Sequence, residues 1–298
     1  MKSFFLKLNS VHALVADGAM GTQLFEHGLE TGECPEKYNL THPEIIKSVA
    51  RAYFRAGADI IQTNTFGGTP LKLATYGLDD KTEQINKLAV EHVRSQVGEG
   101  AFISGSCGPT GRILTPYGDT EPEKIYDSFK RQTHVLIESG VDLICIETMT
   151  DVSEAVLALK AVRDQNRKIP VVATMTFDPT PDGFFTIMGV TISEAVEKLT
   201  EAGADLVGSN CGNGIEKMIQ VAREFISLTD KPVVIQSNAG LPQVRDGAVI
   251  YPETAEFMAE KAREMIKIGV KVIGGCCGTS PDHIKAFRQV VDSIQVTT

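Results

Sequence analysis

Four times along this 298-residue chain, a helical pattern stops on a glycine and an apolar run starts within three residues. The segments are Arg55-Ala-Gly-Ala-Asp59-Ile-Ile, Glu138-Ser-Gly-Val-Asp142-Leu-Ile, Glu201-Ala-Gly-Ala-Asp205-Leu-Val and Lys267-Ile-Gly-Val-Lys271-Val-Ile. Glycine takes the left-handed cap conformation without a Cβ penalty, so each segment reads as a helix end feeding directly into a strand. Apolar runs at 13–16, 102–104, 171–175 and 233–236 raise the predicted strands to eight. Helical patterns fall between them, at 43–56, 81–97, 123–139, 152–166, 193–202, 215–228, 252–268 and 281–293. One strand alternating with one helix, eight times over, calls for parallel strands and right-handed crossovers. Near-continuous apolar strands suit a sheet covered on both faces. The predicted fold is α/β, a single (β/α)8 TIM barrel spanning 1–298, with a doubly wound open sheet as the alternative. No linker, charge block or low-complexity stretch divides the chain.

With 42% hydrophobic residues, 22% charged residues and a net charge of −9, the composition is that of a globular protein whose acidity disfavours nucleic acid and anionic membrane surfaces. The apolar patch Phe4-Phe5-Leu6 is broken by Lys7, Asn9 and Ser10, so it forms neither a signal peptide nor a membrane span. A cytoplasmic address follows as the expectation. There the six cysteines read as thiols or metal ligands rather than as a disulfide frame.

In a barrel of this kind the chemistry sits where strands end and βα loops begin. Cys211 closes the sixth strand, and the adjacent pair Cys276 and Cys277 closes the eighth, inside a Gly274-Gly-Cys-Cys-Gly278 stretch that ends regular structure. Neighbouring cysteines bridge each other poorly, but a turning backbone can aim both sulfurs at one ion. Three thiolates meeting at the barrel mouth suit Zn²⁺, one per chain, and leave its fourth position open. Such an ion is already neutralised by its ligands, which favours activating an incoming thiol over making hydroxide. None of the six histidines falls at a strand end, so hydrolytic zinc chemistry is disfavoured. Asn238, ending the seventh strand, can lend an oxygen to the metal or a hydrogen bond to a sulfur. Cys107 can compete as a ligand but reads better as substrate contact or packing; Cys34 lies in a loop and Cys145 in the core of strand four.

Asp17 and Glu147 are rim carboxylates without a local cation, which the α-ammonium of a substrate would supply. The backbone amides of Gly18 and Ala19 can hold its carboxylate. An amino acid bearing a thiol fits this set. A structural zinc protein and a methyltransferase for a simpler thiol are the rival readings.

The stretches Asp17-Gly-Ala-Met-Gly-Thr22, Thr63-Asn-Thr-Phe-Gly67, Gly108-Pro109 with Gly111, Glu147-Thr148, Asn210-Cys211, Asn238-Ala-Gly240 and Gly274-Gly-Cys-Cys-Gly-Thr279 resemble, in order and over the whole chain, the homocysteine S-methyltransferase family. The resemblance implies zinc on Cys211, Cys276 and Cys277. It also implies an amino-acid pocket lined by Asp17, Gly18, Glu147 and Thr148, with Asn238 near the metal. It further implies transfer of a methyl group to L-homocysteine to form methionine. Gly278-Thr279 resembles the homocysteine-binding module of cobalamin-dependent methionine synthase, which points to a methylcorrinoid carried by a partner protein and not bound by this chain alone. S-Methylmethionine or betaine are the alternative donors. The chain stops at the last barrel helix, so the expectation is either a stand-alone methyltransferase or an excised fragment. A partner would dock over the rim loops, including 67–73 and 178–190, the latter read as a lid or a plain surface turn.

Overall fold

Alternate residues of a strand face opposite sides, and this period sorts the sequence into a barrel lining and a helix-facing coat. The computed structural model describes residues 3–245 and 248–295. Its main sheet comprises β1 (Leu14–Val15), β2 (Ile60–Gln62), β3 (Phe102–Cys107), β4 (Leu143–Met149), β5 (Val171–Met175), β6 (Leu206–Gly214), β7 (Val233–Asn238) and β8 (Val272–Gly275). Consecutive strands pair in parallel, and β8 pairs with β1 through Leu14↔Val272 and Val15↔Ile273. The ring closes where Ala16 bridges Ile60, with the Asp17 N–H donating to the Ile60 carbonyl at 3.0 Å and the Asp59 N–H to Val15 at 2.7 Å. That closure decides for the barrel over the open sheet.

The outer helices are α1 (Pro43–Ala56), α2 (Thr82–Val97), α3 (Pro122–Glu138), α4 (Val152–Gln165), α5 (Ile192–Glu201), α6 (Ile215–Leu228), α7 (Ala255–Lys267) and α8 (Pro281–Gln295). Val15, Ile61, Ile103, Ile144, Val207 and Ile273 pack outward against them. Phe102, Leu143, Val172, Leu206, Val234 and Val272 fill the barrel floor. The segment read as a broken apolar patch is a helix, Phe4–Ser10, capped by the Ser3 hydroxyl; its buried Phe4 and Leu8, one turn apart, plug that floor. Helix α7 starts three residues later than the pattern predicts. Thr254 caps it by accepting from the Phe257 N–H, while Glu253 stays outside the helix and accepts from the Ile215 N–H at 3.0 Å. Within the predicted lid, Asp178–Thr180 and Gly183–Phe185 form an antiparallel hairpin. A second hairpin, Gln243–Arg245 with Ala248–Ile250, lies between β7 and α7. Among the described residues, no helix is long and apolar enough to cross a membrane.

The fourfold sequence repeat has a physical counterpart at the opposite end from the mouth. Asp59, Asp142 and Asp205 each accept a backbone N–H from the preceding strand, from Val15, Ile103 and Val171 at 2.8–2.9 Å. Each also pairs with an arginine from an outer helix: Arg288 at 3.0 Å, Arg94 at 3.1 Å and Arg163 at 2.6 Å. Arg94 and Arg163 reach on to the carbonyls of the cap glycines Gly140 and Gly203. Charge-assisted bonds of this sort contribute about 1.5–3 kcal/mol each where they are half-buried. The fourth repeat lacks the clamp. Lys271 stands where the aspartate would, and Ile226 packs toward Gly269 where the arginine would lie.

Candidate active site

Following the inward face up each strand leads from the apolar floor to the mouth. In β4 the succession is Leu143, Cys145, Glu147; in β6 it is Leu206, Gly208, Asn210; in β3 it is Phe102, Ser104, Ser106. Above them opens a cavity of about 230 Å³. Gly18, Ala19, Glu147, Thr148 and the three cysteines line it, together with Gln62, Ser106, Glu36 and Phe66. Asp17 and Asn238, 2% and 4% exposed, are buried but do not line it.

The Sγ atoms of Cys211, Cys276 and Cys277 all lie within 4.8 Å of one another, and those of Cys211 and Cys277 are 3.8 Å apart. A tetrahedral ion with arms of about 2.3 Å holds its sulfurs about 3.8 Å apart, so the spacing suits zinc. Hydrogen bonds from the Cys276 and Cys277 thiols pull the Cys211 thiol well below its ordinary value, and Cys276 and Cys277 are pushed up in turn. Of the three, Cys211 is the thiol most readily ionised. Asn238 hydrogen-bonds Cys211, and its Oδ1 is buried without a partner among the described residues, as an oxygen kept for a cation would be. Among the described residues, these three are the only group of His, Cys, Asp or Glu spaced to hold a metal.

Cys107 is fully buried, its thiol pushed upward by burial, and stands outside the cluster. Cys145 sits in the barrel floor. Cys34 caps a short 3-10 turn and faces the Glu36 carboxylate at 3.3 Å; burial raises its pKa to about 12.

The two carboxylates are held without ion pairs among the described residues. Burial raises Asp17 to about 8 and Glu147 to about 7. Asp17 Oδ2 accepts the Gln62 N–H at 2.8 Å, whereas its buried Oδ1 has no partner among the described residues. Glu147 accepts a hydrogen bond from the Ser106 hydroxyl. An ammonium group beside Glu147 would favour its ionised form. Of the two predicted backbone donors, Ala19 is already engaged, giving its N–H to Thr279 Oγ1 at 3.2 Å. The Tyr53 hydroxyl lies 3.1 Å from the carbonyls of both Ala19 and Thr279, tying the first strand end to the cysteine turn.

Thr148 (φ 59°) and Cys211 (φ 62°) are the only non-glycine residues with positive φ among those described. Each costs on the order of 1–2 kcal/mol in the left-handed region. Both adjoin or belong to the proposed machinery. Gly278 (φ 80°) needs its lack of a Cβ, because a side chain there would overlap the Tyr251 ring, whose hydroxyl bonds Cys277. Ser106, Gln62 and Asn210 escaped the sequence reading as site residues, although the period-two continuation of the inward face points to each.

An eight-stranded parallel sheet whose mouth sets three converging thiols beside a buried carboxylate defines a barrel with a candidate metal centre at its mouth. The homocysteine S-methyltransferase family model matches residues 14–291, and this chain belongs to that family. It is 31% identical over 295 residues to the methionine synthase of Mycobacterium leprae, a match covering 93% of this chain and 24% of that protein. The Mycobacterium tuberculosis methionine synthase is also 31% identical, over 307 residues covering 97% and 25%. The chain thus spans about a quarter of the length of the curated relatives it matches. The oxidised form of the homocysteine methyltransferase MmuM from Escherichia coli superposes with a TM-score of 0.78 at 25% identity, over 95% of this chain and 97% of that one.

Proposed function

We propose that this barrel, acting in the cytoplasm, methylates the thiol of L-homocysteine to give methionine. Cys211, Cys276 and Cys277 would hold one Zn²⁺, with Asn238 beside them. The observation that carries this reading is the convergence of three thiols in a cavity that Glu147 also lines. When bound, the ion would keep the substrate's sulfur anionic at neutral pH yet nucleophilic. Glu147 would receive the α-ammonium, whose arrival lowers its pKa and ionises it, and Asp17 would add its charge from just outside the cavity lining. The Gly18 amide would face the α-carboxylate. Phe66 and the turn around Met20 would limit water at the sulfur, and the cavity would align that sulfur with the incoming methyl group. Holding reactants in line in this manner contributes several kcal/mol to such displacements.

The donor we favour is a methylcorrinoid on a partner protein. Exposed apolar side chains crown the rim, among them Ile113, Tyr117, Ile187, Leu241 and Val244, as a protein-borne donor would need. Phe66 is the one aromatic lining residue among those described, which is too few for a cage around the cationic donors betaine or S-methylmethionine. The test measures methionine formation from homocysteine with methylcobalamin, S-methylmethionine and betaine in turn. Turnover with methylcobalamin alone, abolished by a zinc chelator, is expected. Turnover with betaine alone overturns the donor assignment, and full zinc content in a variant lacking all three cysteines overturns the metal.

A further inference from the structure

Asn210 immediately precedes Cys211, and its side chain is fully buried. Its Oδ1 accepts from the Thr148 N–H at 2.8 Å and from the Thr174 hydroxyl at 2.7 Å. Its Nδ2 donates to Thr148 Oγ1 at 2.7 Å and faces Glu147 Oε2 at 3.5 Å and Cys276 Sγ at 3.9 Å. Because a backbone N–H can only donate, the Thr148 contact fixes which amide atom is the oxygen. Its own carbonyl accepts the Thr176 hydroxyl at 2.9 Å. One residue on β6 thus ties the ends of β4, β5 and β8.

Those ties fall on the strained part of the mouth. Thr148 and Cys211 both hold left-handed backbone, and Asn210 is bonded to the first and adjacent to the second. Glu147 and the three sulfurs all line the cavity, and the Asn210 Nδ2 faces both the Glu147 carboxylate and the Cys276 sulfur. We propose that Asn210 is the positioning residue that fixes the span between the Glu147 carboxylate and the thiol cluster. Through that span it selects an acceptor with two methylenes between its thiol and its amino-bearing carbon. The assignment rests on the amino-acid thiol reading given above. An amide that merely satisfied the core would stabilise the fold without setting ligand length. Bracing both groups from one side chain instead makes acceptor length depend on it, because the distance from carboxylate to sulfur is what a ligand of fixed length must match.

The experiment needs no methyl donor. Zinc-loaded wild type, Asn210→Ala and Asn210→Asp are titrated calorimetrically with homocysteine and with cysteine, and zinc affinity is measured by chelator competition. The aspartate keeps both acceptor contacts but sets an anion against Glu147 and Cys276. Wild type should favour homocysteine at least about tenfold, the range one methylene is worth in a fitted pocket. Both variants should bring that preference within about threefold and weaken zinc by about 10- to 100-fold, as loss of a residue supporting the ligands does. Variants that keep wild-type preference and zinc affinity overturn the proposal, whatever happens to their melting temperature. If the alanine variant does not fold, the aspartate variant is judged by the same two readouts. Wild type that binds neither thiol sinks the amino-acid thiol reading itself, a result separable from failure of Asn210 alone.

Discussion

Replacing Glu147 by glutamine should change how the stability of the zinc-free, reduced protein responds to pH. Burial lifts this carboxyl from 4.5 to about 7, so the folded chain keeps a proton that the unfolded chain has already released. The stability linked to that proton is complete below the unfolded value and is lost as pH rises through 7. A tenfold change in proton affinity is worth about 1.4 kcal/mol, so the loss is about 1 kcal/mol near pH 5.5 and about 3 kcal/mol near pH 8. Glutamine does not titrate and can still accept the Ser106 hydroxyl, so Glu147→Gln should remove this share of the pH slope. Asp17, raised to about 8, titrates in the same direction, and Cys211, held low, titrates in the opposite one. Both remain in the variant, and the comparison cancels most of their contribution. Urea unfolding at the two pH values, in both proteins, gives the answer directly. Wild type should lose about 2 kcal/mol more than the variant between them. Equal slopes would mean that Glu147 is ionised throughout, and the account of its desolvation would be wrong.

Gly278→Ala should destabilise the zinc-free protein by about 2–4 kcal/mol, from left-handed strain plus overlap with the Tyr251 ring, and Tyr251→Ala in the same chain should recover part of the loss in a thermal melt. In native zinc-free protein a thiol reagent should modify Cys211, Cys276 and Cys277 only, while Cys34, Cys107 and Cys145 stay protected until denaturant is added; a fourth reactive thiol would contradict their burial. Installing the missing clamp with Ile226→Arg and Lys271→Asp should show a favourable coupling of about 1 kcal/mol in a double-mutant cycle, and a coupling near zero would show that the other three clamps are ornamental.

The ring of strands was legible because glycine caps and apolar runs repeat at fixed places, and two outer helices, Pro43–Ala56 and Ile215–Leu228, match their sequence patterns to the residue. The three thiols were legible because their residue type is scarce and their positions are strand ends. The Phe4–Ser10 plug was not, since a seven-residue helix has too few turns to declare itself and is stable only against the floor it fills. Nor was the late start of α7, at Ala255 rather than Pro252, where the demand of the Ile215 N–H for a carboxylate partner keeps Glu253 out of the helix. Engagement of the Ala19 amide by Thr279 depends on residues 260 positions apart, which no local pattern encodes. Asn210 showed in the sequence as a strand-end residue in the Asn210-Cys211 motif, without a role of its own; its reach across three strand ends is a property of the closed ring.

The unclamped fourth repeat gives the barrel a weakest stave. Strand β8 pairs with β7 at four positions, but the lower end of that seam has no aspartate–arginine hoop among the described residues. Its upper end carries Cys276 and Cys277, while Cys211 stands two staves away on β6. An ion gripped by all three would therefore bind the rim across the side where the hoop is missing, and removing it would loosen that seam before any other.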